Sequence, residues 1–259
     1  MCGLGGGIFI VPVLSVLLGV DLKSAIAASA ICVVVNSLSG TGVYLRACMV
    51  NIKLGLYLQI TTTMGAIVGG LLVVYAPVNA LKIVFALVLY LMIAAMVRKP
   101  PPRAPIVGAP DGLGLRCAYD DPALASEVSY TPDRIGLGMG LSSFAGLASG
   151  LLGIGGGPVQ VPLMNTVMGV PLKAAAATST FMVGVTASVS ALIYYSSGLV
   201  DAALTVPAVL GILVGSQTGS RIGRNIAAAS LQRVLVIVLA ILATAILLEA
   251  FGIGFASPG

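Results

Sequence analysis

The residues of this chain best suited to chemistry are two runs of glycine, Gly5, Gly6, Gly7 and Gly155, Gly156, Gly157, each inside an otherwise apolar stretch. Such a run strips side chains from the backbone and interrupts a helix, and Pro158 restarts one comfortably at its first position. A break of this kind presents amide N–H groups next to a helix N-terminus, an arrangement suited to an anion with several oxygens. Cations would find little there. The stretch after each run carries neutral hydroxyl and amide groups: Ser29, Asn36, Ser37 and Thr41 in one case, Thr178, Ser179, Thr180 and Thr186 in the other. Ser29 with Asn36, and Ser179 with Thr186, stand seven residues apart and share a helix face. Neutral donors can hold an anion without burying an unpaired cation. The competing reading is packing, since small residues let helices approach closely and Ser or Thr bonds across them.

Other chemistries lack their residues. The GxGGG pattern has no preceding β-strand and no acidic residue in a βαβ setting, so it is not a dinucleotide fingerprint. The chain contains no histidine, and its four cysteines form no CxxC pair, so neither a metal centre nor a cofactor is expected. No HExxH or GxSxG motif is present, and Asp21, Asp201 and Glu249 read as single helix-end carboxylates, so no enzyme is expected. The 13 basic residues are scattered between hydrophobic stretches, which argues against nucleic acid.

The elements that must position the glycines follow from composition. Hydrophobic residues make up 58% of the chain and charged residues 8%, with a mean hydropathy of +1.11, whereas soluble domains carry about a quarter charged residues. A bilayer core of about 30 Å takes about 20 apolar residues per helix. Ala25 to Leu45, Leu54 to Tyr75, Leu81 to Val97, Ile135 to Leu152, Ala174 to Tyr195, Ala203 to Gly219 and Leu231 to Phe251 fit, and none alternates as a membrane β-strand would. The expected fold is an all-α integral membrane protein.

An offset of 150 residues aligns Gly3 to Val97 with Gly153 to Leu247 without a gap. It matches GLGGGIFIVP at Gly3 to Pro12 with GIGGGPVQVP at Gly153 to Pro162, and GVDLKSA at Gly19 with GVPLKAA at Gly169. The organisation read from this is a first repeat over 1–97, a polar, Pro-rich linker over 98–133 expected to be exposed and mobile, a second repeat over 134–251 and a tail over 252–259. The segment IGLGMGLSSFAGLASGLL before the second break has no counterpart in the first copy, whose leading helix reads as truncated or its start as misplaced. Gly211, Gly215, Gly219 and Gly223, with Gly65 and Gly69 as the equivalent pair, are expected to make close helix contacts.

Basic residues orient the chain. If each glycine-broken segment dips in and returns to one side, Arg46, Lys53, Arg98, Lys99, Arg103, Arg116, Arg134, Lys173, Arg221, Arg224 and Arg233 face the cytoplasm, leaving Lys23 and Lys82 outside. The positive-inside rule favours this re-entrant arrangement. A re-entrant segment plus three crossings inverts the second repeat relative to the first, as in many secondary transporters.

The paired GxGGGxxxVP pattern, the Gly-Val-x-Leu-Lys follow-on and the duplicated four-segment unit resemble the sulfite exporter family of the TauE/SafE type, also called the toluenesulfonate uptake permeases. The resemblance covers both copies and leaves out the linker. It implies transport of sulfite, a sulfonate or a related sulfur-containing anion across a bacterial cytoplasmic membrane, with Gly5 to Gly7, Gly155 to Gly157 and the polar faces bearing Ser29, Asn36, Ser179 and Thr186 around the anion. The expected partners are that small anion and the lipid bilayer, with room for a homo-oligomer and no residue singled out for a coupling ion. An anion channel, or a scaffold or receptor subunit whose glycines only pack, are the alternatives.

Overall fold

The computed structural model describes residues 7–98, 114–121, 126–223 and 228–250. Nine α-helices and one β-hairpin are present among them: α1 Gly7–Pro12, α2 Leu22–Arg46, α3 Ile52–Tyr75, α4 Val78–Arg98, β1 Cys117–Asp121, β2 Ser126–Tyr130, α5 Ile135–Leu152, α6 Gly157–Pro162, α7 Leu172–Ser196, α8 Ala202–Gly223 and α9 Ala228–Ala250. Four of them, α2, α3, α5 and α7, are long and apolar enough to cross a membrane by these measures alone, and shorter apolar stretches lie within α4, α8 and α9. The molecule is a mostly helical, multi-pass membrane protein.

Local chemistry sets the helix ends. The Asp21 carboxylate accepts from the N–H groups of Lys23 and Ser24 at the start of α2, and the Asn51 side chain accepts from Leu54 N at 3.1 Å at the start of α3. Asp201 does the same for Ala203 at the start of α8. The short helices α1 and α6 each end on a proline, Pro12 and Pro162. A π-helical turn follows each, Val13–Leu17 and Leu163–Val167. Proline supplies no N–H to the ladder, and the chain passes the interruption by widening its turn.

Element starts keep the spacing of 150 throughout: α1 and α6, their π-helical turns, α2 and α7, α3 and α8, α4 and α9. The connections match as well. Val20 N bonds Leu14 O where Val170 N bonds Met164 O, and Met49 N bonds Tyr44 O where Leu199 N bonds Tyr194 O.

Helix directions follow from the contacts. Gly40 lies by Thr180 and Ser37 by Gly184, so α2 and α7 run antiparallel. Gly55 lies by Phe181 and Gly70 by Ile193, so α3 and α7 run parallel. A side chain at Gly65 or Gly69 would fall on the carbonyl of Ser143 or Leu147, and one at Gly146 or Gly150 on that of Thr62 or Ala66. The α3 and α5 backbones therefore touch along a shared glycine seam, as expected for Gly65 and Gly69. On α8 the outcome differs at the two glycines whose surroundings are described: a Cβ at Gly211 or Gly215 would meet nothing within 4 Å, while the surroundings of Gly219 and Gly223 lie outside the described residues.

Two apolar cores lie toward opposite ends. One joins Leu22, Ala25 to Ala28, Ala30, Val73, Leu81, Phe85, Leu89, Leu151, Leu152, Tyr194, Leu239 and Ile246. The other joins Leu54, Leu58, Val161, Met164, Met168, Ala174 to Ala176 and Met182 with Tyr119 and Tyr130 of the hairpin. That last pair corrects the expectation of an exposed connection. Ser126–Tyr130 pairs antiparallel with Cys117–Asp121, and the Asn51 amide donates to Leu115 O at 2.9 Å. Buried tyrosines and the bond from the Asn51 side chain fasten this part of the linker over the ends of α3 and α7.

Candidate functional site

The first break and the second come together at the crossing of α2 with α7. The Ser29 hydroxyl, fully buried, reaches the carbonyl of Gly153 at 2.9 Å and that of Gly7 at 3.3 Å. A Cβ at Gly7 would stand 2.8 Å from Ile154 Cα, and one at Gly155 would meet Val183 and Val33, residues 150 apart in number. Only backbone fits between these elements. Gly153, Gly155 and Gly156 have φ of 63°, 78° and 73°, the left-handed region that glycine enters without strain. Among the described residues the N–H groups of Ile154, Gly155 and Gly156 make no backbone hydrogen bond.

A polar layer lies beside the second break, between the two apolar cores. On α3, Gln59 and Thr62 sit between Leu58 of one core and Val73 of the other. On α6, Gln160 sits between Ile154 and Val161; on α5, Ser142 and Ser149 precede Leu151. On α7, Thr186 joins them and Ser179 lies two turns before it; all seven side chains are buried and uncharged. Gln59 Nε2 donates to Thr186 Oγ1 at 3.0 Å and to Thr63 Oγ1 at 2.8 Å, while Gln160 Nε2 donates to Thr62 Oγ1 at 3.4 Å. The hydroxyls of Ser142, Ser149 and Ser179 and the amide oxygens of Gln59 and Gln160 have no hydrogen-bond partner. Buried polar atoms are normally paired, so these five atoms on four helices are candidates for contact with a ligand.

A family profile described as sulfite exporter TauE/SafE matches residues 1–246. The chain belongs to the sulfite exporter TauE/SafE family. It is 28% identical over 256 residues to the probable membrane transporter protein YunE of Bacillus subtilis (strain 168), an alignment covering 96% of this chain and 92% of that protein. No solved structure matches. Family and relative together describe a membrane transporter rather than an enzyme.

Within this TauE/SafE chain the residues singled out from sequence divide into groups. Gly7, Gly155, Gly156 and Ser29 lie together at the meeting of the breaks, and Gly157 opens α6 beside them. Thr186 accepts from Gln59 in the polar layer, Ser179 is buried two turns before it without a hydrogen-bond partner, and Asn36 is half-buried on α2 next to Ser37, whose hydroxyl donates to Thr180 O. Gly5 and Gly6 lie outside the described residues. Gln59, Thr62, Ser142, Ser149 and Gln160 were not anticipated. One signal was available: Gln160 occupies the place held by Ile10 in the first glycine motif.

Proposed function

We propose that this chain is a secondary transporter that moves sulfite, a sulfonate or a related sulfur-containing organic anion across the bacterial cytoplasmic membrane. Access alternates around a site between the two glycine breaks. The observation that carries this reading is the contact of the breaks themselves, with Ser29 joined to both Gly7 and Gly153, in a chain of the sulfite exporter family. Irregular backbone at membrane depth is tolerated where it is buried in protein or lines a cavity, and two such stretches side by side frame a midplane site.

The reading includes two repeats in opposite orientation, each headed by a re-entrant segment. In support, α2 and α7 begin 150 residues apart and run antiparallel. Their crossing brings the equivalent residues Val33 and Val183 into one apolar cluster. Re-entry is supported by α5 and α6: α5 runs along α3, the chain turns at Gly153 to Gly156, and Met168 O accepts from Asp133 N at 3.1 Å, back where α5 began. Lys23 Nζ donates to Val74 O at the opposite end, which agrees with the two-sided distribution of basic residues.

The test is transport by the purified full-length protein in vesicles. Saturable sulfite flux with counterflow is expected; a non-saturating conductance would mean a pore and end the carrier reading. Orientation has its own check. Cys48 is an exposed thiol in the turn between α2 and α3. With the other cysteines replaced by serine, an impermeant maleimide should label it from the cytoplasmic side alone, and labelling from outside overturns the proposed topology.

A further inference from the structure

The hairpin is tied down on both flanks, and the ties reach both copies. At the start of α3 the Asn51 side-chain amide is held by backbone at each end: its oxygen accepts from Leu54 N at 3.1 Å, and its nitrogen donates to Leu115 O at 2.9 Å. A backbone N–H can only donate and a carbonyl only accept, so this amide can sit one way only. The Asn51 N–H adds a bond to Thr178 Oγ1 of α7 at 3.0 Å. On the other flank Asp133 N donates to Met168 O, just past the π-helical turn that follows the second break. Between these ties Tyr119 and Tyr130 are buried in one cluster with Leu54 of α3 and with Met164 and Met168.

The opposite end lacks these ties. There α7 finishes and α8 begins after a short turn, so the start of α8 can be compared with that of α3. Asp201 stands 150 residues after Asn51, but it is exposed, and its carboxylate caps its own helix through Ala203 N at 2.9 Å. Ala28 stands in place of Thr178 and has no hydroxyl to accept a bond. Leu204 is half-buried where Leu54 is fully buried. Among the described residues the hairpin has no counterpart at that end. A carrier opens one end at a time by moving one copy against the other. Parting α3 from the Met164 to Met168 segment must free the Leu115 carbonyl and expose two buried tyrosines, a cost the other end does not carry.

We infer that the hairpin is a strap that holds the cytoplasmic end of the transport path closed, biasing the resting carrier toward its outward-open form, and that release of the strap is part of opening inward. The inference rests on the carrier and topology readings above and adds a regulating element to them.

Asn51→Ser tests it. Serine still accepts from Leu54 N as a helix cap and keeps the backbone bond to Thr178, but its shorter side chain does not reach Leu115 O. The reporter is Met164→Cys, in a full-length chain whose native cysteines are replaced by serine, labelled with an impermeant maleimide in inside-out and right-side-out membrane vesicles. Asn51→Ser should speed labelling from the cytoplasmic face by about threefold to tenfold, the rise in open population expected when one buried hydrogen bond is lost. Labelling from the outer face should be no faster. The KM for sulfite should fall on the cytoplasmic side and rise on the outer side, because the inward-open form becomes more populated. Asp201→Ser, the same replacement at the other end, should alter neither readout. Tyr119→Ala loosens the hairpin without touching the cap of α3 and should act in the same direction, which keeps the test open if Asn51→Ser fails to fold. Unchanged labelling in both variants overturns the inference. Faster labelling with both KM values unmoved also overturns it, since the hairpin would then serve packing alone; these two outcomes leave the carrier reading standing. Faster labelling from the outer face alone overturns the topology and the cytoplasmic strap together. Non-saturating sulfite flux in the unaltered chain ends the carrier reading and takes the inference with it.

Discussion

The two glycine breaks begin from nearly the same sequence and end in different surroundings. At the first, the residue after Gly7, Ile8 and Phe9 is Ile10; at the second, the residue after Gly157, Pro158 and Val159 is Gln160. The helix faces behind them diverge in the same sense. Gln59 and Thr62, which meet Thr186 and Gln160, have Val209 and Ile212 as their counterparts 150 residues later. Ser29 at the first break is joined to two carbonyls, whereas its counterpart Ser179 has no partner. One break is fastened and the other is left open to hydrogen bonding. On the proposed reading, the two breaks share a geometry and a few polar residues found only beside the second concentrate recognition there.

The strongest way to break this comparison uses the glycines that flank it. Gly65 and Gly215 are equivalent by number, but a Cβ at Gly65 would fall on the Ser143 carbonyl while one at Gly215 would meet nothing within 4 Å. Gly65→Ala should force α3 from α5 and cost about 3 kcal/mol, lowering the melting temperature of the purified protein by roughly 10 °C. Gly215→Ala should leave it within about 2 °C, since alanine is the better helix former by up to about 1 kcal/mol. Equal losses in the two variants would mean that the halves pack alike and that the asymmetry is not real.

How much of this was legible in the sequence can be judged from the same residues. The spacing of 150 was legible because the glycine runs and the Pro that closes each motif are backbone requirements, and element starts follow the backbone. The seam was legible on α3 and not at Gly211 and Gly215 of α8, since a period of four residues identifies a face without identifying its neighbour. Tyr119 and Tyr130 were hidden because two five-residue strands lie in a Pro-rich, charged stretch that reads as linker. The polar layer was missed for a different reason: Gln59 and Gln160 are single amides in long apolar runs, and matching the copies rewards agreement. Reading that alignment for its mismatches, Ile10 against Gln160 and Val209 against Gln59, is what points to them.

A smaller effect sharpens the comparison at those mismatches. Gln160→Met keeps an unbranched side chain of similar length and removes the amide. The KM for the transported anion should rise about tenfold, the size expected when a hydrogen bond to a charged ligand is lost. Ile10→Met, the same replacement at the first break, should change KM by less than about twofold, because it exchanges one apolar side chain for another. Sulfite uptake into vesicles measures both. If the two variants behave alike, recognition is shared between the breaks.

The smallest effects separate the two serines, and here stability and binding should move in opposite ways. Ser29→Ala removes a hydroxyl bonded to Gly153 O and shared with Gly7 O, so the breaks lose a tie worth about 1 kcal/mol. The melting temperature should fall by roughly 3 °C, with little change in affinity beyond what loosened backbone brings. Ser179→Ala removes a buried hydroxyl that has no partner, so the unliganded protein should be as stable as before, or slightly more so, because a desolvated group is gone. Its cost should appear only when the anion is present, as a loss of the stabilisation that a bound ligand confers by mass action. If Ser179→Ala destabilises the unliganded protein and leaves anion stabilisation intact, the hydroxyl belongs to packing, and the open character assigned to the second break rests on the glutamines alone.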